Sequence, residues 1–582
     1  MIIPSYDRAV FLARRSLPSV LRQTYGNWEA IVVGDGPGND LLRAAVENLA
    51  DPRLRYAEIA RPDYSGLSSE QRWHAAGAAA RNRGLALARG DIIAPLDDDD
   101  EFLPNHLADC VTALGNGTCD FVYGYALIRD LETGADRAED WYSWRDPATR
   151  QLFLDRNIVF HSTVAYSRRY GCLKYPTDGR MPADYGLWLD IHAAGARFAS
   201  LEAPQAVYYG ESRASRLRLS VPSLPPALAL TTHLASILQS RTLSNTGPIC
   251  TEFEEQIGAW LGLPRVLATP SGDSGLMLAL QVLRHTIADE RRDVVLPSYA
   301  HPSLVNAALW NGFKPVFCDV EPDTLCISPE SVAACLTADT AIIAALHAHG
   351  NPCDMPALES LARAHNVALL ADAAAAFGAA VGGRPVGTWG DVEVFSLSGT
   401  KTLTAGEGGL VCSRDEKILQ LARRLARYGI DAEYAVETPG LNAKLAEFPA
   451  SIALSSLPYV EGWLARRRRA EASYRERLAC VPGLRFPQPA TADALSGCKD
   501  AVLILESPAD TRRLRERLVA YGIESRPYYR PLHRMPAYAD CRRGDLPATE
   551  RLADCTLCIP LYNDIREEVV DLVACVVRET LE

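Results

Sequence analysis

The residues best suited to chemistry lie in DVEVFSLSGTKTLTAGEGGLV, where a single lysine, Lys401, follows an apolar strand pattern and precedes a glycine-rich turn. A strand that stops in small and polar residues delivers an amine to its end, where backbone can approach a ligand closely. Upstream, NVALLADAAAAFGA reads as an apolar strand ending at Asp372, and RVLATPSGDSGLMLALQVL reads as a strand, a small-residue turn and a helix start. An amine that condenses with an aldehyde, a carboxylate and a phosphate-sized helix N-terminus, each at a strand end, are the parts needed to hold pyridoxal phosphate.

A second cluster lies in IIAPLDDDDEFLP, a strand pattern ending in Asp97, Asp98, Asp99 and Asp100. Four consecutive carboxylates at a buried strand end are costly unless a cation sits among them. A divalent metal, Mg or Mn, relieves that cost and holds a diphosphate. The preceding helix pattern carries Arg81 and Asn82. VGDGPGND looks like a dinucleotide fingerprint, but Asn39 stands in place of its third glycine, which discounts an NAD site. Asp35, at the end of the VV strand, is placed to accept hydrogen bonds from a nucleoside.

These elements need more than one scaffold. At 582 residues the chain exceeds a single hydrophobic core, so several domains are expected. A formal net charge of -12 argues against nucleic acid as a partner. The one dense basic run, Arg466 to Arg469, lies in a helical pattern and reads as a solvated face. Fifteen cysteines, an odd number without framework spacing, fit free thiols in a cytoplasmic protein, and the lone Cys555-x-x-Cys558 reads as buried small hydrophobes. LPPALALTTHLASIL is Pro-broken and too short to span a bilayer, so no transmembrane segment is expected.

Residues 1–207 alternate short strands with helical patterns, as an α/β sheet with its ligand at the strand C-terminal ends does. Residues 208–240, rich in Pro and Ser, read as a linker with one short helix, ALALTTHLASILQS. From 241 to 582 strands and helices return at the spacing of a parallel, doubly wound α/β sheet, followed by the helices of a small C-terminal subdomain.

The N-terminal motifs MIIPSYDR, IVVGDGPGND, ARNRGLALARGDIIAPLDDDDEFLP and PADYGLWLDI resemble, in order, those of the family 2 glycosyltransferases of GT-A fold. The resemblance implies that Pro4, Tyr6 and Asp35 border the nucleoside and that Asp97 and Asp99 occupy the D-x-D positions. Asp99 would be the metal ligand, with Arg81 beside the substrate. Asp184 would be the base that deprotonates an acceptor hydroxyl for inverting transfer from a nucleotide sugar. Read without the resemblance, Asp184 is also a good helix cap. Ala183 departs from the family's usual Glu, and Gly34 from a frequent Asp.

The C-terminal motifs PSGDSGLMLAL, KPVFCDVEPDT, LLADAAAAFGA, FSLSGTKTLTAGEGG, GLNAKLAEFPA and YYRPLHRMPAY resemble those of the DegT/DnrJ/EryC1/StrS sugar aminotransferases, of fold type I. The resemblance implies that Lys401 binds the cofactor aldehyde and shuttles a proton, while Asp372 pairs with the ring nitrogen. Backbone N–H groups of Gly272 and Asp273 and the hydroxyl of Ser396 would hold the phosphate, and His301 would stand over the ring. Asn442 would reach the cofactor of a neighbouring subunit, which implies a homodimer. The implied partners are keto sugar nucleotides, glutamate as amino donor and a glycan or metabolite acceptor.

Asp273 stands where Thr is common, and its carboxylate is expected to turn away from the phosphate to cap the helix. Ala375 replaces the Gln or His that contacts the cofactor's phenolic oxygen. Arg526, Arg530 and His533 face either the donor carboxylate or the sugar nucleotide's phosphates, unless their segment is a Pro-bent surface loop.

Overall fold

The computed structural model describes all residues except 7, 37–39, 61, 130–134, 210–216 and 288–289, and divides into two compact units, Met1–Arg216 and Leu217–Glu582. Asn39 lies outside the described residues.

In the first unit the strands Ile2–Ser5, Ala30–Asp35 and Leu54–Ile59 form a parallel sheet, with Ala30–Asp35 in the middle. The backbone of Ile2 also bonds Ala94 and Leu96, so the segment leading into the aspartate run is tied to the first strand. The expected strand IIAPL is regular only over Ile92–Ile93, which joins a separate mixed sheet built on the long neighbours Phe121–Arg129 and Phe198–Tyr209. The helix Ala78–Leu87 lies on the parallel sheet, and a side chain at Gly84 would run into Ile2, so this close approach requires glycine.

The pattern LARRSLPSVLRQT is helical, but its first part, Leu12–Ser16, is a widened π turn ahead of Leu17–Leu21. Pro18 has no N–H to give the turn before it, which fits a bulge at this point. The wider turn carries Arg15 and Ser16 toward the aspartate run: Arg15 Nη1 donates to the Asp99 carbonyl (3.2 Å) and Ser16 Oγ to that of Asp98 (2.6 Å).

In the second unit an eight-stranded sheet carries, in spatial order, Leu267–Thr269, Gly409–Cys412, Val392–Ser396, Ala368–Asp372, Thr340–Leu346, Asp293–Pro297, Lys314–Cys318 and Arg542–Arg543. The sheet is parallel as expected except at Gly409–Cys412, which runs against both neighbours. The turn after Lys401 is short enough to return the chain directly beside Val392–Ser396, the geometry of an antiparallel pair. Central strands such as Thr340–Leu346 are buried along their whole length, which is why they read as continuous apolar runs.

Much of the expected linker belongs to this second unit. Leu217 and Leu219 are buried and bond the Gly522–Glu524 turn, and the helix Ala227–Ser240 buries Ile237 and sets His233 Nδ1 2.8 Å from Ser455 Oγ. A small subdomain follows, in which the antiparallel pair Ala501–Ile504 and Thr556–Ile559 accompanies the helices Val460–Leu478, Pro508–Ala520 and Glu567–Leu581.

Arg467 corrects the reading of the basic run. It is 1% exposed and donates to Asn563 Oδ1 and to the carbonyls of Cys498 (3.3 Å), Lys499 (3.1 Å) and Leu561 (3.3 Å). Burial was legible in the helical period, because Val460, Trp463, Leu464, Arg467, Ala470 and Tyr474 form one inward stripe. Cys555 and Cys558 are buried, and all fifteen cysteines are free. No helix among the described residues is long and apolar enough to cross a membrane.

Candidate active sites

In the second unit the parallel strands place the expected chemical groups at one edge. Asp372 ends its strand at 2% exposure, and its Oδ1 accepts from the Ala374 N–H at 2.9 Å. Burial pushes this carboxyl above its ordinary range; the Ala374 N–H and the charge of Lys401 pull the other way. Lys401 sits in the turn after Val392–Ser396, with its own N–H bonded to the Ser398 carbonyl at 3.0 Å. Burial, and then the charge of Lys499, hold its amine below the ordinary lysine range.

Gly272 opens the helix Gly272–Thr286 against the end of the Lys401 strand: a methyl built on it would stand 3.0 Å from Ser396 Cβ. The close approach of helix start and strand end therefore favours a residue with no side chain at 272. The N-cap is Ser271, whose hydroxyl accepts from the Ser274 N–H at 3.0 Å, so the cap expected of Asp273 belongs to its neighbour. Asp273 is exposed in the first turn, where a carboxylate suits the helix dipole. The N–H groups of Gly272 and Asp273, the Ser396 hydroxyl, a buried carboxylate and a half-buried lysine fit a phosphorylated, cationic ring aldehyde.

His301 is exposed and caps the helix Pro302–Trp310, its Nδ1 2.7 Å from Ser303 Oγ, and its charge is felt at Asp372. Asn442 is exposed and accepts from Lys444 Nζ at 2.7 Å. His533 departs from expectation. It is 8% exposed, with Nδ1 2.7 Å from Ser298 Oγ and Nε2 2.6 Å from Glu550 Oε1, so neither ring nitrogen is left for a substrate anion. Of the three candidates in that segment, Arg526 and Arg530 remain.

Two groups went unread in the sequence. His347, fully buried beneath Asp372, takes the Cys353 N–H on Nδ1 (3.0 Å) and places Nε2 3.0 Å from Glu393 Oε1. Lys499 and Asp500 form a buried pair at 2.6 Å, whose charges reach Lys401. No local pattern marks either group, because the partners that bury them, Glu393 for His347 and His349 for Asp500, come from segments tens of residues away.

In the first unit the aspartate run is heavily partnered. Asp97 Oδ1 is 2.8 Å from Arg81 Nη2 and 3.2 Å from His161 Nδ1, and these two neighbours hold its carboxyl far below the usual range against the cost of burial. Asp98 accepts from Ser5 Oγ (2.6 Å), and Asp99 pairs with Arg8 (2.6 Å). Burial pushes Asp98 up to about 7 and, with Asp99 and Asp97 nearby, raises Asp100 well above its ordinary value. Asp100 Oδ1 is buried without a hydrogen-bond partner. An orphaned carboxylate oxygen beside three more carboxylates fits a hard divalent cation.

Pro4 is buried in the first strand, Tyr6 is 44% exposed just beyond it, and Asp35 ends its strand at 7% exposure. Asp184 is not the helix cap; that place is Pro182, and Asp184 lies in the first turn, where its Oδ2 accepts from Asn157 Nδ2 at 3.1 Å. Its charge is felt at Arg81, the partner of Asp97.

The mainly parallel eight-stranded sheet with its small C-terminal subdomain is the fold of the aminotransferases, fold type I. A family model described as the DegT/DnrJ/EryC1/StrS aminotransferase family matches residues 229–578, and the chain belongs to that family. A Glycosyl transferase family 2 model matches residues 1–171, so the chain is an enzyme fusion of the two.

Similar proteins include the dTDP-4-amino-4,6-dideoxy-D-glucose transaminase of Escherichia coli, 30% identical over 60% of this chain and 94% of its own length. The GDP-perosamine synthase of Caulobacter vibrioides is 31% identical over the same shares. Among solved structures, DesI with its TDP-sugar product matches at 33% identity and a TM-score of 0.58, over 62% of this chain and 92% of that one. The aminotransferase TlmJ from Streptoalloteichus hindustanus matches at 32% and 0.59, over 63% and 98%.

Proposed function

We propose that the second unit transfers an amino group from an amino acid, with glutamate the expected donor, to the ketone carbon of a nucleotide-linked sugar. The observation that carries this reading is the set of strand and helix ends that present Lys401, the buried Asp372 carboxylate and the close Gly272–Ser396 approach. Relatives named for transamination of dTDP- and GDP-linked sugars support the substrate class.

When bound, pyridoxal phosphate supplies the electron sink. Asp372, buried at its strand end, would pair with the ring nitrogen and favour its protonated form. The helix start at Gly272 and Asp273, with Ser396, holds the phosphate. Lys401, whose amine burial holds below the ordinary lysine range, would bind the aldehyde and could hold or move a proton on Nζ. The amino acid leaves as its oxo acid and the ketone as an amino sugar. Asn442 is assigned to the second site of a homodimer.

For the first unit we propose inverting transfer from a nucleotide sugar. Asp97 and Asp35 hold the nucleoside side, Asp99 and its neighbours hold a divalent metal on the diphosphate, and Asp184 takes the proton of the acceptor hydroxyl as the diphosphate leaves. A second reading, a nucleotide-sugar binding or assembly module, is favoured by the Arg8–Asp99 pair and by Ala183, buried where the family has an acid.

Incubating the full chain with pyridoxal phosphate, glutamate and a panel of keto sugar nucleotides tests the first reading: amino-sugar product is expected, and its absence across dTDP, GDP and UDP sugars contradicts it. Release of nucleoside diphosphate that disappears in Asp184→Asn supports transfer. Metal-dependent nucleotide binding without turnover supports the module.

A further inference from the structure

The four carboxylates of the aspartate run are not held alike. Asp97 faces Arg81 (2.8 Å) and His161 (3.2 Å), whose side chains are 13% and 6% exposed. Asp98 Oδ2 and Asp100 Oδ2 accept from the hydroxyls of Ser5 and Ser162, both buried. Asp99 leans on a side chain that solvent reaches: Arg8, 33% exposed, donates from Nη1 to its Oδ2 (2.6 Å) and stands 3.5 Å from Asp98 Oδ1.

Of Arg8, Arg15 and Arg81, Arg8 is the most exposed, and the other two are held on a second side. The Arg15 guanidinium lies 4.2 Å from the Phe11 ring centre and 3.8 Å from that of Tyr209 while donating to the Asp99 carbonyl, and Arg81 donates also to the Ala76 carbonyl (2.9 Å). Arg8 sits at the start of the short helix Ala9–Phe11, 6.0 Å from the Phe11 ring, at the outer limit of a cation–π contact. With all three arginines in place, Asp100 Oδ1 is still buried without a partner, so the cations of the chain leave the run unsatisfied.

We propose that Arg8 is an exchangeable cation: it holds Asp99 in the nucleotide-free protein, gives that carboxylate up to the divalent metal, and turns its guanidinium to the diphosphate of the incoming nucleotide sugar. A metal on Asp99 and the Arg8 guanidinium draw on the same carboxylate, so each weakens the other's hold. A guanidinium that leaves a carboxylate needs another anion, and a diphosphate fits its paired N–H groups. Metal and nucleotide then bind more tightly together than either does alone, since the diphosphate takes up the cation that the metal displaces.

This inference rests on the nucleotide-sugar reading of the first unit, and the experiment separates the two. Manganese binding to the full chain is followed by electron paramagnetic resonance, and binding of UDP, GDP and dTDP at saturating manganese by calorimetry. Arg8→Gln should raise manganese affinity in the absence of nucleotide by roughly fivefold, the worth of a partly exposed ion pair. The same variant should lower affinity for the best-bound nucleoside diphosphate by roughly tenfold. Arg8→Lys, which keeps the charge should the first variant not fold, should leave manganese affinity near the wild-type value and still weaken the diphosphate, because an ammonium lacks the paired donors. Arg22→Gln, which removes an exposed cation beside the run at Glu101, should change neither. Manganese affinity unchanged in Arg8→Gln, or raised as far by Arg22→Gln, overturns the proposal, as does a diphosphate affinity that both Arg8 variants leave unchanged. Wild-type protein that binds none of the three diphosphates with manganese overturns the nucleotide-sugar reading, and the inference with it.

Discussion

Gly272 and Ser396, the first residue of a helix and the last of a strand 124 positions on, touch so closely that a single methyl would stand 3.4 Å from the serine hydroxyl. That hydroxyl and the helix-start N–H groups form one cradle. Gly272→Ala should weaken pyridoxal phosphate binding by roughly tenfold, about 1.4 kcal/mol, while circular dichroism stays unchanged. Equilibrium dialysis of the cofactor checks it; unchanged affinity would place the phosphate elsewhere.

Asp372→Asn keeps the shape of a buried side chain and removes its charge. Amination should fall by about 100-fold or more, with cofactor binding much less affected. Single-turnover rates at saturating pyridoxal phosphate separate the two.

Arg467→Met should destabilise the second unit by at least about 2 kcal/mol, because Asn563 and three carbonyls lose their donor in the interior. Urea unfolding followed by tryptophan fluorescence measures it. Arg469→Met, on the exposed face of the same helix, should be close to neutral.

His106 gives the first unit an acid sensitivity. It is 1% exposed, stacked on Phe102 at 4.0 Å, with Nδ1 3.1 Å from Gln205 Oε1, and burial lowers its pKa from 6.5 to about 4. A folded-state value below the unfolded one means that the unfolded chain binds the proton first. The contribution is thus complete above pH 6.5 and is lost as pH falls toward 4, up to about 3 kcal/mol. The difference in thermal midpoint between wild type and His106→Leu should narrow or reverse from pH 7 to 5.

The raised carboxyl of Asp98, at about 7, predicts that a divalent cation must displace a proton to bind. Manganese affinity, followed by electron paramagnetic resonance, should rise between pH 6 and 8 and fall sharply in Asp99→Asn.

Both family resemblances and the elements that carry the candidate residues were legible because their signals are local. Lys401, Asp372 and Gly272 each end or begin an element, and the aspartate run stands out in four letters. The reading failed where position depends on distant segments. Nothing around His533 shows that Ser298 and Glu550 close on it, and nothing near Asp500 shows that His349 does. Asp273 and Asp184 were each one or two residues inside the helix start they were expected to cap, within the ordinary error of element boundaries.

The most direct test of the account is where the vitamin B6 aldehyde attaches. Protein loaded with pyridoxal phosphate, reduced with borohydride and digested should yield one phosphopyridoxyl peptide, labelled at Lys401, and Lys401→Ala should yield none. Label at another lysine, or no label in a protein that folds and binds the cofactor, would contradict it.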